Sequence, residues 1–295
     1  MSAPDTLTPA SLRTAVFAPG QLGVLGDPIA HSLSPAMHGA ALAQLVAAYP
    51  RLAGVRYHRL HIRAEELPEA LTLLHAKGFA GVNLTVPHKV QALGLIETLS
   101  PEARRAESVN TLVRTPTGWA GHTTDGQGFL EALRERTGGT TKGRPVILLG
   151  SGGAARAVAA ACLADGCASL HLHNRDAAKA AALAAALGEP RVRAAGLADI
   201  QASPDAVIVN CTTLGLKPTD ASPFPAGLLA PGQFVFDTTY GAAPSRLLQD
   251  AAERGVAGCD GRPMLRWQGS LAFRLWHGML PPDAPMRAAL GESAP

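Results

Sequence analysis

The chain has 295 residues, more than one domain usually holds, and its 47% hydrophobic and 17% charged residues can fill two cores. A formal net charge of +3, with Lys and Arg scattered, argues against nucleic-acid binding, and no run approaches the roughly 18 apolar residues of a membrane span. The four cysteines, Cys162, Cys167, Cys211 and Cys259, form no CxxC pair, which argues against a zinc site or a disulfide framework and suits buried thiols of a cytosolic protein.

Residues 1–20 are rich in Ser, Thr, Pro and Ala, lack the pattern of a secretory signal, and are expected to form a flexible extension. Leu22–Gly26 is a short apolar strand. A turn-rich loop follows and brings Ser32 and Ser34 to a helix entrance, where Pro35 suits the first turn and Ser34 suits the N-cap. Tyr57–His61 alternates like a strand, and Glu65–Lys77 has helical spacing that stops at Gly78. From Gly81, apolar Val82, Leu84 and Val86 alternate with Asn83, Thr85 and Pro87, so Asn83 and Thr85 are expected on one face with Lys89 just beyond. That polar face suits either a solvent-facing edge strand or a ligand site at a strand end.

A helical stretch is expected to reach Ala106, and Ser108–Val113 is a strand with Asn110 on its polar side, followed by a hairpin to Trp119. Asp125 either caps the helix expected from Phe129 to Arg136 or joins Asn83, Thr85, Lys89 and Asn110 at one pocket.

Val146–Leu149 has no polar break, as expected for a parallel strand covered on both faces, and runs into Gly150, Ser151, Gly152, Gly153 and Ala154 before an alanine-rich helix. Glycines suit a turn whose backbone N–H groups approach a pyrophosphate at a helix N-terminus. Strand and helix then alternate, with strands at 168–173, 206–210 and 234–237, each ending in polar loop residues. A long final helix is expected over Met264–Met279. Where an acidic residue would hold the ribose of NAD, this chain has Asn174 and Arg175, with Lys179 one turn on, a set that suits the 2′-phosphate of NADP. Asp176 would repel that phosphate unless it points away or caps the next helix. A pyridine nucleotide implies hydride transfer, and an ammonium beside a carboxylate, Lys89 with Asp125, could supply the proton that a reduced carbonyl requires.

Ser32-Leu33-Ser34-Pro35, Asn83-Leu84-Thr85-Val86-Pro87-His88-Lys89, Val109-Asn110-Thr111, Thr124-Asp125-Gly126, the glycine turn, Asn174-Arg175, and Asp260-Gly261 with Met264-Leu265 and Gln268-Gly269 together resemble the shikimate/quinate dehydrogenase family, in order and over nearly the whole chain. The resemblance implies an α/β protein of two domains. Residues 21–124 with 262–295 would form a mixed-sheet substrate-binding domain on which the final helix packs back, and 125–261 a Rossmann-type NADP domain with a doubly wound parallel sheet. It implies cytoplasmic, NADPH-dependent reduction of 3-dehydroshikimate to shikimate by a monomer or homodimer, without metal. By position, Ser32, Ser34 and Tyr240 would take the substrate carboxylate, and Asn83, Thr85, Asn110, Asp125 and Gln268 its hydroxyls. Lys89 and Asp125 would be the catalytic pair. Gly150, Ser151, Gly152, Gly153 and Ala154 would hold the pyrophosphate, Asn174, Arg175 and Lys179 the 2′-phosphate, and Thr238 and Gly261 the nicotinamide.

Two positions depart from the family pattern: Thr123 stands where Asn is usual, and Asp176 where Thr is usual. The serine pair has the shikimate form, whereas quinate-using relatives tend to carry a threonine. The alternatives are an NAD-using quinate/shikimate dehydrogenase and a dinucleotide-binding sensor without turnover.

Overall fold

The computed structural model describes residues 6–292. Contacts divide the chain into two units, one running to Thr124 and resuming at Gln268, the other Asp125–Trp267.

The first unit is built on a mixed sheet of β1 (Thr6–Leu7), β2 (Leu22–Gly26), β3 (Tyr57–His61), β4 (Gly81–Leu84), β5 (Thr98–Leu99), β6 (Thr111–Arg114) and β7 (Trp119–His122), in the order β1-β3-β2-β4-β6-β7-β5. The first four in that order run parallel, whereas β6 is antiparallel to both β4 and β7. Alternation sends Leu25, Leu60, Val82, Leu84 and Leu112 into one core and Leu22, Val24 and Tyr57 into another. Trp276, from the C-terminal part of the helix Arg262–His277, packs against the latter and donates to the Leu112 carbonyl at 3.0 Å. The helix expected to be the last therefore does return to the first sheet, and a further short helix, Asp283–Ala289, follows it. The change of unit falls inside that helix, at 267/268, not at the 261/262 boundary expected from the sequence.

Part of the expected flexible extension is ordered. Residues 1–5 lie outside the described residues, but β1 pairs with β3, and the helix Pro9–Thr14 is closed by a reciprocal capping box between Thr8 and Ser11. Leu7 and Leu12 are buried in the main core, which is what holds so short a segment in place.

Three local expectations also change. β4 ends at Leu84, so Thr85 lies in the following turn, where its carbonyl accepts from His88 N at 2.8 Å; Pro87 has no N–H with which to extend a ladder. The stretch before Ala106 is broken into the helix His88–Gln91, β5, and a helix Pro101–Ala106 capped by Ser100, whose hydroxyl accepts from Ala103 N at 3.2 Å. The helix expected from Phe129 begins at Asp125.

The second unit contains β8 (Pro145–Leu149), β9 (Ser169–Asn174), β10 (Val192–Gly196), β11 (Val207–Asn210), β12 (Phe234–Asp237) and β13 (Ala257–Cys259). All pair in parallel, in the order β10-β9-β8-β11-β12-β13. The order reverses between β8 and β11, so the carboxyl ends of these strands form the crevice where doubly wound sheets take ligands. Val146 and Leu148 face one core, and Ile147 and Leu149 the other, as the unbroken apolar run requires. Among the described residues, no group of three or more His, Cys, Asp or Glu is placed to hold a metal, and no helix is long and apolar enough to cross a membrane.

Candidate active site

At the carboxyl end of β4 a chain of buried amides assembles. Tyr57 Oη donates to Asn83 Oδ1 at 2.7 Å, which turns the Asn83 amide so that Nδ2 donates to the Asn110 carbonyl at 3.0 Å and to Thr111 Oγ1 at 2.9 Å. The register explains the meeting, since Asn83 stands opposite Thr111 in the antiparallel pair. Asn110 is the hub. Its Oδ1 accepts from Thr124 N at 2.8 Å and Thr111 Oγ1 at 2.9 Å, while Nδ2 donates to Thr124 Oγ1 at 2.9 Å and to Gln268 Oε1 at 3.1 Å. Residues far apart in sequence are thus joined in one network, with Asn83, Asn110 and Gln268 all buried.

Lys89 is placed beside this network by its backbone, because its carbonyl accepts from Val109 N at 2.8 Å. The preceding residue, His88, fixes the turn: its ring is fully buried and bonds the Ile62 carbonyl at 2.8 Å. Burial pushes the His88 pKa below the usual histidine value, so the imidazole is neutral near pH 7, with the proton on Nε2 facing that carbonyl. Asp125 is buried, opens its helix, and follows directly on Thr124, the Asn110 partner.

Ser34 N approaches Ser32 Oγ at 3.4 Å, and Arg59 Nη2 donates to the Ser32 carbonyl at 3.0 Å. Ser34 is not the N-cap that its position before Pro35 predicts. Leu33 occupies the cap position in a helical conformation with no side-chain bond to the first turn, and Ser34 is the first helical residue. Its hydroxyl is therefore not committed to capping. Thr85 is half-buried in its turn and lies against Gly26, its N–H donating to the Leu25 carbonyl at 2.9 Å.

In the second unit, β8 delivers the glycine turn. Gly150 has φ +109°, and a Cβ there would lie 2.9 Å from the Cys211 carbonyl oxygen, so only glycine fits. The helix Gly153–Asp165 starts at Gly152 without a side-chain cap, and a Cβ on Gly152 would meet nothing within 4 Å. Uncapped N–H groups facing open space are what a pyrophosphate requires. Asn174 Nδ2 donates to Ser151 Oγ at 2.5 Å and ties the end of β9 to this turn. Arg175 and Lys179 are exposed. The Asp176 carboxylate caps its own helix, accepting from Ala178 N at 3.1 Å, and stands 3.8 Å from Lys179 Nζ. The residues present thus fit a phosphorylated dinucleotide.

Thr238 follows β12 and donates from both N and Oγ1 to the Asn210 carbonyl, at 2.9 and 2.7 Å. Gly261 N donates to the Thr239 carbonyl at 2.9 Å, and Tyr240 is half-buried in the same loop. Tyr57, Thr111 and Thr124 carry much of the amide network, yet only strand alternation and the Asn110 and Asp125 motifs hint at them in the sequence.

Models of known families match along the chain: the shikimate dehydrogenase substrate binding domain over residues 24–112, shikimate/quinate 5-dehydrogenase over 132–214, and the shikimate 5′-dehydrogenase C-terminal domain over 261–290. The chain is 42% identical over 269 residues to a shikimate dehydrogenase (NADP(+)) of Thermus thermophilus, covering 91% of this chain and 97% of the relative. A crystal structure of shikimate 5-dehydrogenase from Thermus thermophilus in complex with NADP(H) and shikimate superposes with a TM-score of 0.79 at 39% identity, covering 92% of this chain and 98% of that one. Quinate dehydrogenase from Corynebacterium glutamicum in complex with NAD gives 0.78 at 30% identity, covering 92% and 98%. Likeness of this degree over nearly the whole chain shows that it belongs to the shikimate/quinate dehydrogenase family, whose members are oxidoreductases.

Proposed function

We propose that the protein is a cytoplasmic shikimate dehydrogenase that reversibly reduces 3-dehydroshikimate to shikimate with NADPH, on the route to chorismate and the aromatic amino acids. The observation that carries this reading is the buried amide network. Asn110 Nδ2 bonds Gln268 Oε1 at 3.1 Å, so two amides of set orientation stand ready for a substrate with several hydroxyls. Asn83, Thr85, Asn110, Asp125 and Gln268 receive those hydroxyls, and Ser32 and Ser34, with Tyr240, receive the carboxylate. The helix start that carries Ser34 has no side-chain cap, which supports this role.

When bound, NADPH supplies a hydride to the carbonyl carbon. Lys89 Nζ holds the proton that the carbonyl oxygen takes up, and Asp125 orients the ammonium and the neighbouring hydroxyl. In the reverse direction Lys89 removes the proton from the hydroxyl. Gly150, Ser151, Gly152, Gly153 and Ala154 bind the pyrophosphate, Asn174, Arg175 and Lys179 the 2′-phosphate, and Thr238 and Gly261 flank the nicotinamide. Use of the Asp176 carboxylate at Ala178 N, 3.1 Å away, supports NADP over NAD, because that negative charge is directed to its own helix.

Initial rates with shikimate and with quinate, each with NADP and with NAD, test the reading. The fastest turnover is expected with shikimate and NADP. Preference for quinate and NAD would overturn the specificity, and dinucleotide binding without turnover on either substrate would make the protein a sensor.

A further inference from the structure

Asp237 ends β12 with no exposed surface, and none of the chemistry above uses it. Its carboxylate accepts from Ser245 Oγ at 2.5 Å, Thr239 Oγ1 at 2.8 Å, Thr239 N at 2.9 Å and Asn210 Nδ2 at 2.9 Å. Burial pushes the Asp237 carboxyl above its usual pKa, and the bonds from Ser245, Thr239 and Asn210 work against that push. Burying a carboxylate is costly, and a well-packed apolar side chain would often stabilise the same place at least as well. What the carboxylate does achieve is to gather loops.

Asn210 is its register partner on β11 and holds the next loop: Asn210 Oδ1 accepts from Thr212 Oγ1 at 2.7 Å and Thr212 N at 3.0 Å, and Nδ2 also donates to the Leu214 carbonyl at 2.8 Å. Gly215, at φ +111°, folds that loop so closely that a Cβ would lie 2.8 Å from Thr239 Oγ1 and 3.4 Å from Asp237 Oδ2. On the other side, Thr239 passes the constraint on. Its carbonyl accepts from Gly261 N at 2.9 Å, and a Cβ on Gly261 would lie 2.2 Å from the Thr238 carbonyl oxygen. The loops 211–216, 238–245 and 260–262 therefore share one anchor, at the carboxyl ends of the strands next to the point where the sheet order reverses.

We propose that Asp237 is a positioning residue for the nicotinamide half of the bound dinucleotide. It sets Thr238 and Gly261 without touching the cofactor. The proposal rests on the dinucleotide reading given above. It weighs on the nicotinamide half of the ligand, because Asp237 bonds Thr239 next to Thr238, whereas it makes no bond among those described to the glycine turn or to Asn174-Arg175 and reaches the turn only indirectly, through Asn210 and the Cys211 backbone beside Gly150.

The test compares NADPH with 2′,5′-ADP, which has the adenosine half and its 2′-phosphate but no nicotinamide. Binding of each is followed by fluorescence titration and competition, without turnover, for the wild type, Asp237→Ala, Asp237→Asn and Ser245→Ala. Asp237→Ala is expected to weaken NADPH by about tenfold, equivalent to about 1.4 kcal/mol, and to leave 2′,5′-ADP within about twofold. Asp237→Asn, which keeps one acceptor oxygen, and Ser245→Ala, which removes one donor, should show smaller losses of the same kind. Equal losses for both ligands, or no loss for either, would overturn the positioning role and leave Asp237 a stabilising residue only. If Asp237→Ala does not fold, the same split in Asp237→Asn and Ser245→Ala decides the matter. Failure of the wild type to bind either ligand would instead overturn the dinucleotide reading itself.

Discussion

Side chains make the polar surface at the strand ends of the first unit, where Asn83, Asn110 and Gln268 gather with their amides turned by Tyr57, Thr111 and Thr124. At the glycine turn after β8 in the second unit, the surface is made by what is missing. Gly150 gives up a Cβ to lie against Cys211, and the helix after Gly152 starts with no side-chain cap. The contrast follows from the ligands proposed. A hydroxylated ring is told from others by directed donors and acceptors, which backbone alone cannot vary, whereas a pyrophosphate needs many N–H groups and little else. Loss of a side chain should therefore harm the amide network of the first unit, and gain of one should harm the glycine turn of the second.

Lys89→Ala gives the largest effect and the cleanest break. Removing the proton donor should lower kcat by about 10²–10⁴-fold, with NADPH affinity by fluorescence titration unchanged. Full activity in this variant would remove Lys89 from the chemistry. Gly150→Ala should give the opposite split. At φ +109° and 2.9 Å from the Cys211 carbonyl oxygen, an added methyl strains the turn, at a cost of about 1–3 kcal/mol. Thermal unfolding should shift down by several degrees and dinucleotide affinity should fall. A variant that binds NADPH as tightly as the wild type would show that the turn does not govern the dinucleotide.

The same contrast decided what the sequence could show. The glycine turn, the apolar β8 and the Asn174-Arg175 dipeptide are made by consecutive residues, so pattern alone finds them. The amide network is not of that kind: Tyr57 reaches Asn83 and Asn110 reaches Gln268 only after the sheet has formed, and the family resemblance brings together Asn83, Asn110 and Gln268 but not Tyr57. β10 escapes the pattern because Val192–Gly196 contains an arginine, two alanines and a glycine, and owes its extended form to pairing with β9. The segment 6–14 escapes for a similar reason, since its order comes from pairing with β3 and burial of Leu7 and Leu12. Asp237 is plain in the sequence at the end of its strand, but a carboxylate there reads like any solvent-facing loop residue until its donors are seen.

One buried group of the first unit should show itself in stability and not in chemistry. His38 is fully buried, its ring stacked 4.3 Å from Tyr57 with 9° between the planes, and neither ring nitrogen has a hydrogen-bond partner among the described residues. Burial, reinforced by His277, lowers its pKa from 6.5 to about 3. The folded protein thus keeps His38 neutral where the unfolded chain would protonate it, so stability falls as the pH drops below 6.5 and is unaffected by this group above about pH 7.5. By pH 5 the loss amounts to about 2 kcal/mol. His277, lowered to about 4 by burial and by Arg51, adds a loss of the same sign. His38→Phe keeps a ring against Tyr57 and cannot titrate. Denaturant midpoints for this variant should fall less steeply between pH 7 and pH 5 than those of the wild type, with the His277 part remaining. An identical pH slope in the two proteins would mean that His38 is not held neutral. A changed kcat at pH 8 would mean that the stack on Tyr57 reaches the amide network, and that the first unit's core and its recognition surface are not separable.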